Sequence, residues 1–155
     1  MLFMNGGGKD GDGGRVFRAT RQIAEAFEKN NLKFRAEAKD DDTSYVETAF
    51  GTKHGGSIQI LFISHDDDND VAVRSFAVIS GVPAEKRAAV LEVINECNDE
   101  FRFAKFTIDE DGDINMEYDF PASAAEVGEP ACEIAARFVQ ILDETYPRFM
   151  KVIWG

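Results

Sequence analysis

The sequence predicts an α+β domain built on a mainly antiparallel sheet. Three observations carry this: strand-like segments cluster instead of alternating with helices, turn chemistry separates them, and three amphipathic helical patterns stand at the start, middle and end of the chain. The expected order is helix, four strands, helix, two strands, helix. With 155 residues, 44% of them apolar and 30% charged, the chain suits one domain with a substantial core. Residues 15–155 are read as that domain. Residues 1–14 read as a flexible Gly-rich tail, because Asn5–Gly14 offers nothing apolar to bury.

The first helix is expected from Val16 to Asn30, where Val16, Ile23, Ala26 and Phe27 recur at helical spacing. Asn30-Asn31 is a plausible stop, since asparagine tolerates the left-handed conformation. The strands follow as Leu32–Ala38, Tyr45–Phe50, Ser57–Ser64 and Val71–Ile79. Between them lie Asp40-Asp41-Asp42, Gly51–Gly56 and the acidic run Asp66–Asp70. The third strand is apolar on both faces, with Ile58, Ile60 and Phe62 against Leu61 and Ile63, which predicts cover on both sides. If these strands form a meander, the aspartate turns 40–42 and 66–70 share one end of the sheet and Lys53-His54 lies at the other.

Pro83 opens the second helix, expected over Ala84–Asn98, with Leu91, Ile94 and Asn98 on one stripe. Strands over Phe101–Ile108 and Ile114–Phe120 come next. In the latter, Ile114, Met116, Tyr118 and Phe120 alternate with Asn115, Glu117 and Asp119, giving one apolar and one wet face. The third helix runs from about Pro130 and is expected to kink or break at Pro147.

The charge of −12, from 17 Lys+Arg against 29 Asp+Glu, disfavours nucleic acid and anionic membrane surfaces as partners. Cys97 and Cys132 are too few for a disulfide framework, which fits a reducing cytoplasm. Gly8-Lys9 is no phosphate loop, because Asp10 stands where Ser or Thr is required. His54 and His65 are the only histidines, and no nucleophile, zinc or nucleotide pattern accompanies them. No cofactor or metal ligand is therefore assigned, and no catalytic residue.

The stretch Thr107–Tyr118 resembles a calcium loop at Asp109, Asp111, Gly112 and Ile114. Its first and twelfth positions are Thr107 and Tyr118 where the loop needs aspartate and glutamate, and strands flank it. A hairpin with Gly112 at positive φ is the expected structure. Cation binding by the turns 40–42, 66–70 and 109–113 is left as an alternative. Asn95 and Asn98, three apart on a helix, are read as satisfying backbone groups near the helix end, with a ligand pair as the other reading.

The run Val82–Asn98 followed by Arg102–Asp113 resembles the YbjN family. The shared pattern is a Val-Pro entry to a helix, an Asn-x-x-Asn pair at its end, and a Lys-Phe strand leading to an acid-Gly hairpin. The likeness covers about residues 16–155. It implies a domain similar to type III secretion chaperones, in a bacterial, cytoplasmic regulator of sensory transduction without established catalytic residues. Pro83, Asn95, Asn98 and Gly112 carry over as fold-defining positions. The function expected is a non-enzymatic interaction module that binds a protein partner through a helix or sheet face, forms a homodimer, and uses its acidity against a basic partner. The alternative is a small-ligand or divalent-cation sensor using the Asp-rich turns.

Overall fold

The structure, a computed structural model, describes residues 16–65, 69–123 and 126–155. The Gly-rich segment 5–14 and Asp66–Asp68 lie outside the described residues. Helix α1 (Arg18–Lys29) precedes four strands: β1 (Phe34–Asp40), β2 (Thr43–Gly51), β3 (Ser57–His65) and β4 (Asp70–Ile79). Then come α2 (Arg87–Glu100, entered by a 3-10 turn over Ala84–Lys86), β5 (Lys105–Ile108), β6 (Ile114–Pro121) and α3 (Gly128–Trp154). The strands form one six-stranded sheet in the order β1-β2-β3-β4-β6-β5, with every pair antiparallel. This is the expected α+β architecture, and the first four strands are the meander.

Turn residues set the strand limits. Asp40 turns the chain by accepting the Asp42 amide (2.9 Å), and α1 ends where Asn31 adopts a φ of 57°. Thr43 pairs with His65 at one end of the sheet and Gly51 with Ser57 at the other. The 40–42 turn and Asp70 therefore share an end, and Lys53-His54 lies opposite, where the Asp143 carboxylate accepts both backbone amides (2.6 and 3.3 Å).

The core lies between the sheet and three helices on one of its faces. Phe27 of α1 sits edge-on to Phe34 and Phe62, at 6.1 and 5.5 Å between ring centres. Phe106 of β5 meets Phe149 of α3 at 5.2 Å. Helix α3 packs between α1 and α2, and its first residue must be small. A Cβ on Gly128 would stand 2.6 Å from the Gln22 carbonyl and 2.7 Å from Ala26 Cβ. Within this layer, the buried hydroxyls of Thr20, Ser44 and Ser64 satisfy one another (2.8 and 3.3 Å), and Ser44 also accepts the Phe17 amide (3.0 Å).

Four expectations need correction. Helix α3 does not break at Pro147, because Phe149 and Ile153 beyond it are buried. Burying such side chains is worth about 1.5–3 kcal/mol each, enough to offset the roughly 3 kcal/mol cost of an interior proline. Leu91 is exposed, because Val90, Val93, Ile94 and Cys97 form the buried stripe of α2 and Leu91 lies about 100° off Val90. Strand β5 begins at Lys105, not Phe101: residues 101–104 turn the chain, and Lys105 Nζ reaches back to the carbonyls of Asn98 (2.5 Å) and Phe101 (2.9 Å). Finally, β3 is covered on one face only among the described residues. Ile58, Ile60 and Phe62 are buried beneath the helices, whereas Leu61 and Ile63 are half-buried on the other side.

Two clips hold the last two strands in place. Asn98 bonds both backbone groups of Phe106, accepting its N–H (2.7 Å) and donating to its carbonyl (3.1 Å). The 109–113 turn is a hairpin in which Asp109 Oδ1 accepts the amides of Asp111 and Asp113 (3.0 Å each). Gly112, at φ 81°, passes its carbonyl to the Val82 amide (2.9 Å).

Gly112→Ala brings a Cβ to 2.8 Å from the Val82 carbonyl at a left-handed backbone. It should cost about 2 kcal/mol or more, roughly 4–8 °C in melting temperature. Asn98→Ala orphans the N–H and carbonyl of Phe106, which is buried, and should cost about 1–3 kcal/mol. Thermal and urea denaturation check both.

Candidate interaction surface

Alternation along each strand divides the sheet into a helix-covered face and a second face that no described element covers. On β3 the second face carries Gln59, Leu61, Ile63 and His65, and on β2 it carries Tyr45, Glu47 and Ala49. On β4 it carries Ala72, Arg74 and Phe76. Over β1–β4 the twisted sheet forms a concavity of about 600 Å³, with Leu61, Ile63, Ala72 and Phe76 as its apolar lining and Arg35, Lys39 and Arg74 among its polar residues. Phe76 is 61% exposed, an uncommon state for a large aromatic ring on a sheet.

The backbone explains how Phe76 is presented. The β4–β6 register shifts between Ser75 and Ile79, and inside this bulge Ala77 adopts a φ of 50°. Such a conformation costs a non-glycine residue about 1–2 kcal/mol. Asn115 of β6 holds it, accepting the Ala77 amide at Oδ1 (2.7 Å) and donating from Nδ2 to Asp109 Oδ2 (3.2 Å). Asn115 thus joins the bulge beside Phe76 to the acidic hairpin.

A polar network secures the β1–β2 side. The Arg35 guanidinium bridges the carboxylates of Glu37 (2.9 Å) and Glu47 (2.5 Å). Gln59 donates to Glu47, and Tyr45 donates to Glu37 (2.8 Å). Glu47 is only 8% exposed, whereas the Arg35 side chain that pairs with it is 40% exposed. Burial, followed by the bond to Glu37, pushes the Tyr45 hydroxyl above its ordinary pKa and keeps it a neutral donor. On the other side, Arg74 Nη1 meets Asp119 (2.7 Å) and the Val73 carbonyl (2.8 Å). The chain's acidity does not extend evenly to this face, where cations stand among carboxylates.

The singled-out residues take these places. Asn98 is a backbone clip, whereas Asn95 is exposed and three residues away from it without sharing its bonds. Asn115, Glu117 and Asp119 lie on the uncovered face, as alternation predicts. His65 and His54 lie at opposite ends of the sheet. Cys97 and Cys132 are free thiols on α2 and α3, both pushed upward in pKa by burial. Asp109 is held below the usual carboxylate range by the Asp113 amide and then by Asn115, so its oxygens already serve the turn. Among the described residues no group of three or more His, Cys, Asp or Glu is placed to share an ion, and no helix is long and apolar enough to cross a membrane. What the sequence reading missed is that no described element covers the face carrying Leu61 and Ile63, and that Phe76 is exposed beside them.

No curated protein matches the chain. A family model described as "Putative bacterial sensory transduction regulator" does match, over residues 20–147, and the chain belongs to that family, YbjN.

Proposed function

We propose that the chain is a non-enzymatic regulatory module, chaperone-like in its action, that works in the cytoplasm by binding protein through the uncovered face of its sheet. Residues 15–155 form the working domain. The observation that carries this reading is the exposure of Phe76 beside half-buried Leu61 and Ile63, opposite a face fully served by three helices. Covering such side chains is worth about 1.5–3 kcal/mol each. An apolar centre bordered by Arg35, Glu47, Arg74 and Glu117 matches the anatomy of a protein interface, an apolar core with a polar rim.

Affinity capture from native bacterial lysate tests this with three baits. The wild-type chain and Leu91→Asp, altered on the exposed side of α2, should retain the same protein. Ile63→Asp should lose it while keeping its melting temperature. Equal capture by all three baits overturns the sheet-face reading.

Against the cation-sensor alternative, millimolar Ca²⁺ should move the melting temperature no further than matched ionic strength does, because Asp40 and Asp109 spend oxygens on their own turns. A calcium-specific rise of several degrees would favour the aspartate turns as a site.

A further inference from the structure

We infer that Phe76 is the anchor by which the uncovered face holds its partner protein, and that Asn115 is a positioning residue that latches the ring outward and ties it to the acidic hairpin. The inference rests on reading that face as a docking surface and adds how the surface is held ready. The register shows how much backbone serves this one side chain. Ser75 pairs with Met116 and Ile79 with Ile114, so Phe76, Ala77 and Val78 stand opposite Asn115 alone. Two extra residues preserve the alternation of faces: Ser75 and Ile79 are both buried, as are Met116 and Ile114. The insertion therefore leaves the core face in order and acts on the outer one, where Phe76 lines the same concavity as Leu61 and Ile63.

Three consecutive residues are held against their own preferences. Ser75 is 1% exposed, and its hydroxyl has no hydrogen-bond partner among the described residues. Phe76 is 61% exposed although hydrophobic burial would draw its ring down onto Leu61 and Ile63. Ala77 sits at a φ of 50°, which alanine adopts only against a steric penalty. Strain of this kind persists where the surroundings over-determine it, and here they do. The Ala77 amide donates to Asn115 Oδ1 (2.7 Å), and Asn115 Nδ2 is in turn held by Asp109 Oδ2 (3.2 Å). The same hairpin takes the next amides of the chain, Gly81 on Asp113 Oδ1 (3.1 Å) and Val82 on the Gly112 carbonyl (2.9 Å). The end of β4 is thus gripped at three amides by one hairpin, and relaxation of Ala77 must break the Asn115 bond. The result is an aromatic side chain ordered before its partner arrives, which lowers the cost of binding.

Two readouts separate a positioning role from a merely structural one. The first uses the full chain alone, with Phe76→Trp as reporter in a Trp154→Phe background; Trp154 is 69% exposed, so its replacement spares the core. Acrylamide should quench the reporter as it does an exposed indole, and adding Asn115→Ala should reduce that quenching as the ring settles onto the sheet. The second uses Ala77→Gly, which removes the steric penalty. It should raise the melting temperature by about 2–4 °C while lowering capture of the partner roughly 3- to 10-fold; a structural role would move both in the same direction. Phe76→Ala should lower capture about 10-fold or more. Quenching that Asn115→Ala leaves unchanged overturns the latch, and a melting temperature lowered by Ala77→Gly overturns the strain. Capture undiminished by Phe76→Ala overturns the anchor. If the wild-type chain captures nothing, the docking reading fails on its own, and the quenching and melting measurements still decide the latch.

Discussion

A six-stranded sheet has two faces to shield, and this chain lays its three helices on one. Most of the molecule follows from that constraint. Helix α1 has no choice of side, because its buried stripe continues directly into the hydroxyl cluster and the Phe27–Phe62 contact on the same face. The two later helices are committed by connection: α2 must travel from β4 to the edge strand β5, and α3 fills the space between α1 and α2. Among the described residues nothing covers the opposite face. It sets half-buried aliphatics and an exposed phenylalanine among paired ions.

The crossover through α2 creates a second requirement. Strand β6 must return between β4 and β5, so both ends of the segment preceding it need fixing. Asn98 fixes one end by occupying both backbone groups of Phe106. The acidic hairpin fixes the other, binding the β4–α2 connection through the Gly112 carbonyl and through Asp113, which accepts the Gly81 amide (3.1 Å). Arg87 at the start of α2 closes the circuit by donating to the Asp109 carbonyl (2.8 Å). Asn98 and the acid-Gly hairpin therefore coincide with the joints of the crossover, and the resemblance to a calcium loop arises because aspartates serve the hairpin joint.

Local chemistry made much of this legible in advance. Alternation in β6, the asparagines ending α1 and the Asp-Gly turn each act through the residues that carry them, and each appears where expected. The misreadings share a different cause. Whether Leu61 is covered depends on where helices far along the chain come to rest, and whether Pro147 breaks α3 depends on the burial of Phe149. Phe76 is hidden for a further reason: its exposure follows from a left-handed alanine, and no feature of Ser75-Phe-Ala-Val78 announces a bulge. The candidate surface was thus the least legible part, because it is defined by what fails to pack against it.

The net charge bears on how such a surface can work. At −12 per chain, long-range repulsion opposes self-association, and at physiological salt it is screened beyond about 8 Å. Short-range pairing must then decide the encounter. The row from Arg35 to Glu117 places each carboxylate beside a cation or across Leu61 from one, so this face carries both signs at short range. Pairing of this kind contributes orientation more than affinity. Under the proposed reading, affinity comes from Leu61, Ile63 and Phe76, the apolar side chains of this face.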